Sequence, residues 1–198
     1  MSDVFEVVHA QRACRDFAPT PVDDALVARV LDAATFAPSA ENRQPWVFVV
    51  VRDEKRRRLL AELTSRAWLG GGRSHSLGRL APALFEDVDR GATGGIYEAP
   101  VVVVVGGDSA LVDERVLEAS VFPAVQNLLL AARALGLGSA LTTLPVVFSK
   151  EVAELVGFPP EVRPLAVVPI GRPARRLGPP RREPLEAKVH RERFGNRW

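Results

Sequence analysis

The 198-residue chain has the pattern of a layered domain of the α/β or α+β class. Three observations carry this expectation. Four short segments, at 46–51, 101–105, 139–143 and 165–170, read as strands. Stretches with helical periodicity separate them. One of those stretches, 112–135, is long.

Taken in order, Phe5 to Cys14 is expected as a short helix. Asp23 or Asp24 can cap the next helix, whose apolar positions Leu26, Val27, Val30, Leu31 and Ala34 follow helical spacing and which Pro38 ends. A loop from Ser39 to Pro45 leads into Trp46–Val51, which is apolar on both faces and therefore expected as a buried strand. Asp53 caps a helix through about Ala67, with Leu59, Leu60 and Leu63 inward and Arg56, Arg57 and Arg58 largely outward. Residues 68–96 are the least regular part, because Gly70–Gly72 and Gly91–Gly95 interrupt weak helical patterns. Such a segment inside a compact domain is often a lid or binding loop.

Val101–Val105 reads as a second buried strand. The long helix Val112–Leu135 holds Pro123, which predicts a kink or a break, and Gly136 suits a left-handed cap. Ser139–Thr143 is a third short strand. Ser149 caps a helix ending at Gly157, and Leu165–Ile170 is the fourth strand, ended by Gly171-Arg172-Pro173. The tail beyond is rich in Pro and Arg and has no core of its own. If ordered, it must lie along something else, such as another subunit.

The length suits one domain over 1–198, and 47% hydrophobic with 25% charged residues is the usage of a folded protein rather than a disordered one. No apolar run approaches the roughly 20 residues of a membrane span. The start, Met1 to Phe5, lacks a basic stretch followed by an apolar one, so no secretory leader is expected. The single cysteine, Cys14, excludes an internal disulfide. Together these point to a cytoplasmic protein without membrane association. Residues 172–198 carry nine Lys+Arg against three Asp+Glu, a net +6, while residues 1–171 carry −4. A basic tail on a mildly acidic body suggests an anionic partner or a merely solvated tail.

Arg12 and Arg15, three apart, would share one side of a helix end and could fork a phosphate or carboxylate. Taken alone they read first as surface arginines bridged to Asp16 or nearby acids. Pro38-Ser39-Ala40-Glu41-Asn42-Arg43-Gln44-Pro45 places Ser39, Asn42 and Gln44 in one loop fixed by proline at both ends. Amides there suit the edge of a heteroaromatic ring, or the hydroxyl and amides satisfy the loop's own backbone. Cys14, beside two arginines, could have a lowered pKa, but reads first as a buried helix residue. Gly106-Gly107-Asp108 lacks the three-glycine dinucleotide fingerprint, and the three histidines have no metal-like spacing.

Several segments, in order along most of the chain, resemble the nitroreductase family of flavoproteins. They are Arg12-Ala13-Cys14-Arg15-Asp16-Phe17, the stretch Ala37 to Phe48, Gln126 to Gly138, Val167 to Pro173, and Arg181-Arg182-Glu183-Pro184-Leu185. The resemblance implies an α+β fold with a mixed central sheet flanked by helices. It also implies an intertwined homodimer that exchanges C-terminal arms, here 172–198, and FMN held at the dimer interface. By position it assigns Arg12 and Arg15 to the flavin phosphate and pyrimidine side. Pro38, Ser39, Asn42 and Gln44 fall around the ring and ribityl chain. The backbone of Thr142 and Thr143 approaches flavin N5, and Arg181 and Arg182 finish the phosphate site.

The activity so implied is an FMN-dependent oxidoreductase that takes hydride from NADH or NADPH and reduces a nitroaromatic, quinone or activated alkene. No metal or nucleic acid is expected. Two residues depart from the family motif: Gln11 and Ala13 stand where it has Arg and Ser. That departure keeps a non-catalytic flavin-binding or storage protein as the alternative.

Overall fold

The computed structural model describes residues 3–198. Met1 and Ser2, the beginning of the segment read for a leader, lie outside them. Every side chain from Val101 to Val105 is fully buried, with Val101, Val103 and Val105 in one apolar cluster and Val102 and Val104 in the other. This is the period-2 alternation of a strand covered on both faces. The strand extends to Asp108 and sits inside a four-stranded sheet. Its strands are β1 (Trp46–Val51), β2 (Val101–Asp108), β3 (Gly138–Ser139) and β4 (Val162–Gly171), in the order β1-β2-β4-β3.

All three ladders are antiparallel. The expectation of a mixed sheet is thus corrected. Among the described residues the parallel component is one isolated bridge, Ala13 to Ser139. Long helical excursions link β1 to β2 and β2 to β4, so each connection has room to return in the opposite direction.

One face of the sheet carries α2 (Asp24–Thr35) and α7 (Glu114–Ala134), through Val27, Val30 and Ala34 of the first and Leu117, Val121, Val125 and Leu128 of the second. The other face carries α3 (Glu54–Ala67) and α8 (Ser149–Val156), through Leu60, Leu63 and Val152. Pro123 does not break α7, which is helical throughout. Its missing N–H costs one backbone bond, and the buried residues on both sides of it hold the helix in place. Gly136 does form the left-handed cap, at φ 74°: Leu137 N donates to Ala132 O and Gly136 N to Arg133 O.

Besides the mixed sheet, Pro123 and the third strand, which is Gly138–Ser139 rather than Ser139–Thr143, four further expectations change. The first helix, α1 (Val4–Ala10), stops four residues short of Cys14 and buries nothing, so it has no packing to extend it. Strand β1 is an edge strand and mostly half-exposed rather than buried. On α3, Leu59 faces outward, while Arg57 turns in and donates to the carbonyls of Tyr97 (2.7 Å) and Ala99 (2.8 Å).

The fourth concerns residues 68–96, which are largely helical. They comprise a π turn at Trp68–Gly72, α4 (Arg73–Ser76), α5 (Pro82–Arg90), a second π turn at Gly91–Gly95 and the start of α6 (Ile96–Glu98). The Trp68 indole donates to Asp89 at 2.7 Å and Arg73 pairs with the same carboxylate at 2.9 Å, which joins the two arms of this excursion. These two donors also hold the Asp89 carboxyl below the usual carboxylate range.

Past β4, residues 172–174 run beside 16–18, with Ala18 N donating to Arg172 O and Ala174 N to Asp16 O. The rest of the tail is mostly exposed, Phe194 at 92%. Among the described residues no helix is long and apolar enough to cross a membrane.

Candidate functional site

The chain leaves α1 at Gln11 (φ −67°, ψ 128°) and runs along the β3 edge, where Cys14 N donates to Ser139 O. Arg12 and Arg15 are therefore not on a helix, and their spacing does not make them a fork. Arg12 donates to the carbonyl of Gly178 in the tail (3.2 Å), and Arg15 pairs with Asp87 of α5 (3.1 Å). Cys14 and Phe17, on either side of Arg15, are buried on the α3 side of the sheet.

Burial pushes the Cys14 thiol pKa up, and the nearby Asp16 and Asp87 carboxylates add to this against the opposing Asp16 backbone bond and Arg175. The thiol donates to Asp16 O at 3.3 Å. This corrects the expectation that neighbouring arginines lower it. The native protein should resist iodoacetamide at pH 8 and react once unfolded; equal labelling in both states would count against a buried, protonated thiol. An unfolded thiol ionises first, so this group's contribution to stability is lost as pH rises above the ordinary value of 9.0.

Glycines hold Arg15 in place. A Cβ on Gly91 would meet Arg15 Cδ at 2.4 Å, and one on Gly95 would meet the Arg15 carbonyl oxygen at 2.5 Å. The glycines that looked like breaks in 68–96 are thus close-approach positions, where the π turn lies directly on the 13–17 segment. Next to Arg15 lies a cavity of about 90 Å³ whose lining includes Thr142, Leu141, Ala140 and Pro169. Of the predicted residues, the structure brings Arg15 and Thr142 together here. Both the N–H and the carbonyl of Thr142 are taken by Val167, at 2.9 Å each. The next amide, Thr143 N–H, has no hydrogen-bond partner among the described residues.

The 38–45 loop forms its own small network. Ser39 Oγ accepts from Gln44 N (3.0 Å), and Gln44 Nε2 lies 3.4 Å from both the carbonyl and the side-chain oxygen of Asn42. Ser120 on α7 accepts from Ala40 N at 3.1 Å and ties the loop to the core. Glu41, Asn42 and Gln44 all have positive φ (51°, 54° and 52°). Three non-glycine residues in that region store strain of about 1–3 kcal/mol each, a feature that clusters at functional sites. Pro38 is exposed at the loop's entrance.

Neither Arg181 nor Arg182 contacts Arg12, Arg15 or the 38–45 loop. Both are exposed, and Arg182 donates to Arg181 O. Sequence reasoning missed Ser120 and Asp87. A buried serine on the apolar face of α7 was a usable signal for the first. Nothing local marks the second.

A family model, that of the nitroreductase family, matches residues 8–172. The chain belongs to the nitroreductase family. It is 32% identical over 196 residues to an NADH dehydrogenase of Thermus thermophilus, covering 90% of this chain and 91% of that one. It is also 32% identical over 178 residues to an iodotyrosine deiodinase of Thermotoga neapolitana, covering 87% and 90%. A Desulfovibrio desulfuricans protein whose crystal structure contains FMN superposes with a TM-score of 0.77 and 25% identity, covering 98% of this chain and 99% of that one.

The donor set in this chain fits a flavin. Arg15 bonds only Asp87 among the described residues, which leaves most of its five N–H donors free. The Thr143 amide is open as well. The enclosed volume beside Arg15, about 90 Å³, is well below the ~300 Å³ of a small-molecule pocket. This chain alone therefore encloses no flavin-sized pocket beside Arg15.

Proposed function

We propose that the protein is an FMN-dependent oxidoreductase that oxidises NADH or NADPH and reduces a small electrophilic acceptor such as a nitroaromatic, a quinone or an activated alkene. The observation that carries this is a half-buried guanidinium with free donors, Arg15, on a cavity it shares with Thr142, the residue before the open backbone amide of Thr143, in a chain of this family. Bound FMN would supply the two-electron chemistry that links nicotinamide to acceptor.

The chain's own groups position and polarise. Arg15 places a cation at the pyrimidine side of the ring, where negative charge grows on reduction. Thr143 N–H offers a hydrogen bond at the reacting edge. Ser39, Asn42 and Gln44 present hydroxyl and amide ends from a loop held rigid by its own network and by Ser120. Arg12 takes the phosphate end, and Thr142, locked to Val167, fixes the turn that aims Thr143.

The assembly is a cytoplasmic homodimer, each subunit being one domain with residues 172–198 as an exchanged arm. Two features support it. β1 is an apolar edge strand with one side unpaired, which soluble proteins cover or blunt. The tail, with Leu185, Phe194 and Trp198 exposed at 61%, 92% and 66%, has apolar groups that its own chain does not cover. In that assembly Arg181 and Arg182, which make no hydrogen bond or ion pair with Arg12 of their own chain, complete the phosphate site of the other subunit.

The test is anaerobic reduction. Protein reconstituted with FMN should be yellow, bleach with NADH or NADPH, and regain colour with a small panel of acceptors. Bleaching by dithionite but by neither nicotinamide would instead indicate flavin storage, a reading favoured by Gln11 and Ala13, which bring neither a cation nor a hydroxyl to the phosphate end.

A further inference from the structure

Asp87 lies at the centre of a charge cluster that the proposed reaction does not explain. Its carboxylate accepts from Arg15 (3.1 Å), Arg90 (2.9 Å) and Arg175 (3.2 Å), and its side chain is only 16% exposed. Arg175 also lies 3.6 Å from Asp16. Arg90 is the α5 neighbour three residues on, and either it or the exposed Arg175 would suffice to neutralise Asp87. Arg15 is different. It is 25% exposed, and its stem is wedged against Gly91 so tightly that a Cβ there would overlap it. It also borders the cavity shared with Thr142. The guanidinium is therefore held at one place and angle, with a carboxylate on one edge.

We infer that Asp87 is a positioning residue that aims Arg15 and offsets its charge, and so sets the reduction potential of the flavin. This rests on the reading that FMN binds with its pyrimidine side at Arg15. A free cation there would favour the reduced, more negative cofactor and raise the potential. An anion 3.1 Å from that cation works in the opposite direction. Asp87 thus lowers the potential, keeping the reduced cofactor a strong enough donor for its acceptor.

The sign can be read directly. In protein reconstituted with FMN, Asp87→Asn keeps the shape and an acceptor oxygen but removes the negative charge. It should favour reduced over oxidised FMN by roughly tenfold, a positive shift of about 30 mV in the two-electron midpoint. Arg175→Ala, at a half-exposed site, removes a competing cation and leaves Asp87 more fully on Arg15. It should move the midpoint the other way and by less. This second variant stands even if Asp87→Asn does not fold.

A role confined to packing would lower thermal stability in both variants and leave the midpoint unmoved, which overturns the inference; a shift of the opposite sign does the same. Uptake of oxidised FMN by the unaltered protein is measured first. Failure at that step overturns the FMN reading and this inference with it, whereas normal uptake with an unmoved midpoint overturns only the role of Asp87.

Discussion

Arg15→Ala is expected to weaken FMN binding to the apo-protein roughly 10- to 100-fold, the loss of one to two charge-assisted hydrogen bonds at about 1.5–3 kcal/mol in all. Two effects add in the same direction. With FMN placed as proposed, the donors toward the ring disappear, and Asp87 keeps its negative charge with only Arg90 and Arg175 to balance it. Titration followed by quenching of flavin fluorescence gives the affinity. The fold should survive, because Arg15 contributes a partly exposed side chain while Cys14 and Phe17 on either side supply the packing. Unchanged affinity in a variant with normal thermal stability would remove Arg15 from the site. Arg15→Lys should recover part of the loss, since it restores the charge but not the planar fork.

Gly95→Ala should destabilise the protein by about 1–3 kcal/mol, or roughly 3–10 °C in Tm for a chain of this size. The added Cβ would lie 2.5 Å from the Arg15 carbonyl oxygen, a backbone atom that no rotamer change can move. The neighbouring residue supplies the control. A Cβ on Gly94 meets nothing within 4 Å, and its φ is not positive, so Gly94→Ala should be neutral or stabilising by up to about 1 kcal/mol through helix propensity. Urea unfolding of the pair reads the difference directly. If the two variants were equally stable, the close approach of the Gly91–Gly95 turn to Arg15 would be wrong, and the placement of Asp87 with it.

The same segments separate what is legible in the sequence from what is not. The strand at 101–105 was legible because five valines in a row leave no polar face, and only a doubly covered strand tolerates that. The run at 46–51 has the same character, yet β1 is an edge strand. Apolar patterning reports that a face needs covering but not whether its own chain or another covers it. By propensity alone the glycines of 70–72 and 91–95 are interruptions, because glycine lowers helix propensity. At 91 and 95 they permit contact with a segment nearly eighty residues earlier, and a propensity argument carries no information about such a neighbour.

By itself the sequence determined the alternation of strands and helices, both buried faces of β2, the glycine cap at 136 and the family, because each of these depends on local spacing or on ordered motifs. Only the tertiary structure decided the partners of the charges. Arg12 and Arg15 went to Gly178 and Asp87, separations of 166 and 72 residues, rather than to a shared anion. Spacing of three puts two side chains together only if the backbone is helical. The backbone here is not, because bonding to Ser139 and burying Cys14 and Phe17 in the core outweigh another turn of a helix that buries nothing.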